Sequence, residues 1–192
     1  MLSEGFELLE KNGIKVPEFW TNNIPIHVKF PVVIKADINH KTDKNAVKLN
    51  VYDYKELELY YNKFKKEFQK DVIIQEQIIG DYIEIILGIK KDITFGDIVL
   101  IGLGGIYTEL FKDFIILSFP FDINMLKERL KDLKYYRILE GYRNKKGINM
   151  DILYENINKL YSIFKDKNFN ELEVNPLLIN EKEAYAVDIR FF

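Results

Sequence analysis

Asp97-Ile-Val-Leu-Ile-Gly-Leu-Gly-Gly-Ile-Tyr-Thr-Glu109 is an apolar run that breaks into a glycine cluster. Its first half, Asp97 to Leu100, reads as a buried strand. Gly102, Gly104 and Gly105 then admit backbone dihedrals closed to other residues. Glycines at a strand's end let the main chain approach a bound ligand closely, often a phosphate. A tight turn uses the same residues, so the cluster takes its meaning from its neighbours. A strand carrying a lysine comes before it, and a hairpin carrying a carboxylate and an amide comes after.

Upstream, Phe30-Pro-Val-Val-Ile-Lys-Ala36 reads as a strand buried in its middle, with Lys35 near its end. Asp37 to Asn45 is a polar loop holding His40-Lys-Thr-Asp43, and Val47-Lys-Leu-Asn-Val51 is a second short strand. Asp53 opens a helix, with Glu56 placed as in a capping box and Leu57, Leu59, Tyr60, Phe64 and Phe68 as its apolar side. Val72 to Gln77 is the next strand, broken by Gly80-Asp81 before Tyr82 to Ile89. At the N-terminus, Ser3 is placed to cap a helix carrying Phe6, Leu8 and Leu9, which Gly13 stops. Downstream, helices are expected over Asp122 to Leu130 and Met150 to Phe164. Two strands, Glu171 to Ile179 and Ala184 to Ile189, joined by Asn180-Glu-Lys-Glu183, close the chain.

Strands and helices are mixed without the regular alternation of a doubly wound sheet. The class expected is α+β, in two lobes with largely antiparallel sheets. The expected divisions are an N-terminal helix and connector over residues 1–29, a small lobe over 30–79 and a large lobe over 80–192.

The 192 residues are 47% hydrophobic and carry a net charge of −2, so a sizeable core is expected and a nucleic-acid surface is not. There is no cysteine, which excludes disulfides and thiolate metal sites, and two histidines leave little for zinc. The acidic start lacks the basic region of a signal peptide, and the apolar runs are too short to cross a membrane. A cytoplasmic protein is the default reading.

Alternation puts Glu171, Glu173 and Asn175 on one strand face and Leu172 and Val174 on the other. If the hairpin folds about the Glu181–Lys182 bond, Asn175 lies directly opposite Asp188. Cross-strand partners have Cβ atoms about 5 Å apart, close enough for a carboxylate and an amide oxygen to share Mg²⁺. A plain Asn–Asp hydrogen bond across the strands is the alternative. Lys35 is either leaving the core for solvent or holding a polyphosphate as a point charge. Glu76 and Glu84 are ordinary surface charges or acceptors for ribose hydroxyls. His40 is an inert loop residue or a phosphoryl acceptor, with Asp43 placed to orient it.

In order, these segments resemble an ATP-grasp domain, and more closely the β subunit of ADP-forming acetate–CoA ligases. The shared segments are Phe30-Pro-Val-Val-Ile-Lys35, His40-Lys-Thr-Asp43, Val47-Lys-Leu-Asn50, Phe95-Gly96, Gly102-Leu-Gly-Gly-Ile106, Gly141-Tyr-Arg143, Glu173-Val-Asn-Pro176 and Val187-Asp188. The resemblance implies a nucleotide, ATP or ADP, held between the lobes. It implies Lys35 and Lys48 as phosphate lysines and Glu76, Gln77 and Ile79 as an adenine-binding linker. Glu84 is implied as the ribose ligand, Gly104 and Gly105 as the glycine loop, and Asn175 and Asp188 as Mg²⁺ ligands. It also implies His40 as a phosphohistidine passing phosphate between ADP and an α subunit, in an α₂β₂ assembly. The alternatives are a subunit of a succinyl-CoA synthetase-like ligase and a degenerate nucleotide-binding or assembly subunit. The second is motivated by Leu117, where the family carries an arginine.

Overall fold

The computed structural model describes residues 2–38, 45–105 and 111–192. The chain forms two compact units, residues 1–3 with 17–80 and residues 4–16 with 81–192.

The smaller unit holds a four-stranded sheet of β1 (Phe19–Thr21), β2 (Val32–Ala36), β3 (Val47–Val51) and β4 (Val72–Glu76), ordered β1-β4-β2-β3. Every pairing is antiparallel. The helix Tyr54–Phe68 lies between β3 and β4 in sequence; it is α2, following α1 (Leu2–Lys11). Asp53 caps α2, its carboxylate accepting from Glu56 N–H at 2.8 Å, and Glu56 reaches back to Tyr52 N–H at 3.3 Å. Gln69 ends the helix in the left-handed region. Leu57 and Phe64 of α2 join Val32, Ile34, Ala36, Val72 and Ile74 in one buried cluster. The strand alternation therefore sends Val33, Lys35, Ile73 and Gln75 to the other sheet face. Leu59, expected on the apolar side of α2, is instead 64% exposed. It sits two residues from Leu57, about 200° around the helix, and so points away from the buried face.

The larger unit holds a six-stranded antiparallel sheet. Its strands are β5 (Ile83–Asp92), β6 (Gly96–Leu103), β7 (Phe114–Ser118), β10 (Glu171–Ile179), β11 (Ala184–Ala186) and β12 (Ile189–Phe191). The order is β11-β10-β5-β6-β7, with β12 also on β10. Ile85, Leu87, Ile89, Val99, Ile101, Leu172, Val174, Leu177 and Ile179 are buried on one face. Glu84, Gly88, Leu100 and Glu173 take the alternate positions and are half-buried. Helices α3 (Ile123–Leu130) and α5 (Met150–Asp166) pack against the sheet and each other, capped by Asp122 and Asn149. Between them lie α4 (Tyr136–Glu140) and a small ribbon of β8 (Gly141–Tyr142) and β9 (Lys145–Lys146). Gly5 of α1 lies so close to β12 that a β-carbon there would fall 2.5 Å from the Ile189 side chain. Ser3, expected as a cap, lies inside α1, whose first described residue is Leu2.

The turn Asn180–Glu183 is tied by Asn180 Oδ1, which accepts from Lys182 and Glu183 N–H. The Glu183 carboxylate then gathers Tyr82 OH at 2.8 Å, Tyr185 OH at 3.0 Å and Lys15 Nζ at 3.2 Å. Burial first, then the Glu183 contact, pushes the Tyr82 phenol up to about 12.

Candidate functional site

The terminal hairpin sets the geometry. Leu177 pairs with Ala186 and Ile179 with Ala184; beyond the interruption, Val174 pairs with Ile189 and Glu173 with Arg190. These pairs share one register, and it is the one centred on the Glu181–Lys182 bond. Asn175 and Asp188 therefore face each other, with Asn175 N–H donating to the Asp188 carbonyl at 3.3 Å. The second strand expected as continuous is two short strands, parted at Val187 and Asp188. Pro176 supplies no N–H to the sheet, and the pairing of β10 with β5 shifts between Val174 and Leu177. The Asn–Asp pair thus sits where both sheet ladders are interrupted.

The Asn175 side chain reaches the glycine loop. Its Oδ1 accepts from Gly105 N–H at 3.0 Å. Gly104 N–H donates to the Glu84 carbonyl at 2.7 Å. A β-carbon on Gly104 would lie 2.8 Å from the carbonyl carbon of Ile85, and one on Gly105 would overlap the Glu84 carboxylate. Gly105 also has φ +61, a conformation that favours glycine. Gly104, Gly105, Glu84 and Asn175, far apart in sequence, are thus one cluster. Both glycine N–H groups are occupied within it. The glycines serve close approach of the loop to β5 rather than leaving free donors.

Asn175 and Asp188 offer hard oxygen donors, with Glu173 two residues along the same strand. Burial raises the Glu173 carboxyl pKa; Arg190 opposes this, while Glu171 and Asp188 add to it. Burial likewise raises that of Glu84. Among the described residues, no group of three or more His, Asp or Glu gathers as a metal cluster. An amide and one or two carboxylates match a small divalent cation that keeps most of its ligands from water and phosphate.

In the smaller unit, Lys35 is 6% exposed, between Val47 of β3 and Ile73 of β4. Lys48 is on the opposite face. It pairs with Ile34 and its ammonium lies 3.2 Å from Glu56 of α2 and over the Tyr60 ring. The register of β2 and β3 shifts between Val32 and Ile34. Extended without that shift, the Val32–Val51 pairing would set Lys35 opposite Lys48; the extra residue turns Lys48 toward the helix. The structure does not bring the two lysines together.

Glu76 ends β4, its N–H donating to the Glu18 carbonyl, while Gln77 N–H donates to that of Pro31. The Gln77 side chain exchanges two hydrogen bonds with Asn50, at 2.7 and 2.8 Å, and Ile79 is exposed. Gln75 was not legible in sequence as distinctive. It is 1% exposed on the Lys35 face, and its Nε2 has no hydrogen-bond partner among the described residues. His40 and Asp43 lie outside the described residues.

A family model for the ATP-grasp domain matches residues 2–192, and the chain belongs to that family. Its relatives place it more narrowly, with the β subunits of ADP-forming acetate–CoA ligases. It is 32% identical to the β subunit of ADP-forming acetate–CoA ligase I of Pyrococcus furiosus, over 97% of this chain and 88% of that one. It is 29% identical to ADP-forming acetate–CoA ligase I of Archaeoglobus fulgidus, of whose length it spans only 30%. The dinucleotide-forming acetyl-coenzyme A synthetase 1 of Ca. Korarchaeum cryptofilum has been solved with coenzyme A and Mg-AMPPCP, its phosphohistidine segment pointing towards the nucleotide binding site. That structure matches with a TM-score of 0.81 at 24% identity, covering 100% of this chain and 91% of the other. No helix among the described residues is long and apolar enough to cross a membrane.

Proposed function

We propose that the chain is the nucleotide-binding subunit of an ADP-forming acyl-CoA synthetase, acetyl-CoA being the first substrate to test. The observation that carries the reading is the Asn175–Asp188 pair facing across the hairpin, joined through Asn175 to the Gly104–Gly105 loop and Glu84. Coverage of most of the P. furiosus β subunit supports it as well. In this reading Asn175 and Asp188 hold Mg²⁺, which when bound neutralises phosphate charge. Lys35 contacts phosphate oxygens, Glu84 accepts from the ribose and the main chain of Glu76 to Ile79 meets the adenine. Lys48, committed to Glu56, holds α2 instead.

The chemistry is one phosphoryl transfer in two halves. An imidazole nitrogen of His40 attacks the phosphorus of a phosphohistidine on the partner subunit, whose own P–N bond breaks and returns that imidazole. The P–N bond formed at His40 then breaks as a β-phosphate oxygen of ADP attacks, forming ATP and returning the His40 imidazole. The partner is an α-type subunit that binds CoA and the acyl group, in an α₂β₂ assembly in the cytoplasm. The test is ATP formation from acetyl-CoA, ADP, phosphate and Mg²⁺ with such a subunit added. His40→Ala is expected to bind ADP normally and form no ATP. Turnover equal to the unchanged chain removes the phosphohistidine and favours a succinyl-CoA synthetase-like ligase. Nucleotide binding with no turnover by the unchanged pair favours an assembly subunit.

A further inference from the structure

We infer that Asn175 is a positioning residue for the glycine loop, independently of any metal. This rests on the nucleotide reading above and goes beyond it. Asn175 Oδ1 takes the Gly105 N–H at 3.0 Å, while the preceding amide, Gly104 N–H, is fixed to the Glu84 carbonyl at 2.7 Å. Two consecutive main-chain donors are therefore held by two different strands, β5 and β10. Gly104 N–H is held by main chain, and Gly105 N–H, at φ +61, by a side chain. An amide oxygen has two lone pairs, so Oδ1 can keep Gly105 N–H and still face a cation. Asparagine suits both partners, being neutral toward the half-buried Glu84 and Glu173 carboxyls nearby. Asn175 and the Glu84 carbonyl together thus fix the two consecutive glycine amides.

The test is made on the whole chain in EDTA. A trans-hydrogen-bond coupling between Gly105 N and Asn175 Cγ is expected in the unchanged protein, and its absence overturns the inference without any variant. Asn175→Ala should speed Gly105 amide exchange by about five- to tenfold, the loss of one hydrogen bond, while Gly104 stays protected. It should also weaken metal-free ADP binding by a similar factor. Asn175→Asp keeps an acceptor and should restore Gly105 protection, while its added charge beside Glu84 and Glu173 keeps metal-free ADP affinity low. Unchanged Gly105 exchange in Asn175→Ala overturns the anchor. Faster exchange with unchanged metal-free ADP affinity leaves Asn175 acting only through metal and overturns the positioning role. If the unchanged chain binds no ADP, the nucleotide reading falls, while the exchange result still decides the anchor.

Discussion

Asp97 shows how a single carboxylate is held. Its pKa lies below the ordinary carboxylate range, chiefly through a hydrogen bond from Lys165 at 2.9 Å, then one from Tyr161 at 3.0 Å, with burial opposing. A depressed folded pKa gives stability that is present above the unfolded value and lost as pH falls through the folded one. Asp97→Asn should therefore lower stability at pH 7 by about 1 kcal/mol, Lys165 being half in solvent. The difference should vanish in acid, below the folded pKa; a pH series of urea melts measures it. Lys35 carries a different expectation, since burial between two strands leaves its ammonium little water. Lys35→Met should weaken ADP binding about tenfold or more, as for the loss of a charge-assisted contact. Calorimetry with unchanged affinity would take Lys35 out of the site.

At the scale of elements, the β6 loop and the terminal hairpin stand or fall together. Gly105→Ala meets both a left-handed backbone and the Glu84 carboxylate, and Gly104→Ala meets the Ile85 main chain. Each should destabilise the larger unit by about 1–3 kcal/mol, read from denaturant midpoints. Gly96, also at positive φ, has open space around it, so Gly96→Ala should show only the backbone term, about 1 kcal/mol. The hairpin register was legible because side chains alternate and because Asn180 can tie a symmetric four-residue turn. The antiparallel α+β class was legible for the same reason, in the strand patterns. Lys48 was not, because a register shift in β2 and β3 leaves no periodic trace yet reverses a side chain. The strands β1, β8 and β9 are too short to show a period. The occupation of the Gly105 N–H depends on Asn175, some seventy residues away, and spacing alone does not reveal it.

The whole molecule has two separately built parts, each with its own sheet and buried residues. Lys35 belongs to one; Glu84, the glycine loop and the Asn175–Asp188 pair belong to the other. That the chain spans most of a free-standing β subunit and under a third of a longer relative fits a module that serves as its own subunit or as part of a larger chain. Its functional reading rests on a cation held at Asn175 and Asp188 for a nucleotide's phosphates. The decisive measurement is calorimetric titration of ADP into the unchanged chain and Asp188→Asn, with and without Mg²⁺. Mg²⁺ should tighten ADP binding to the unchanged chain about tenfold or more, and should have little effect on Asp188→Asn, whose melting temperature stays close to normal. An equal Mg²⁺ effect in both proteins, or no ADP binding by the unchanged chain, would contradict it.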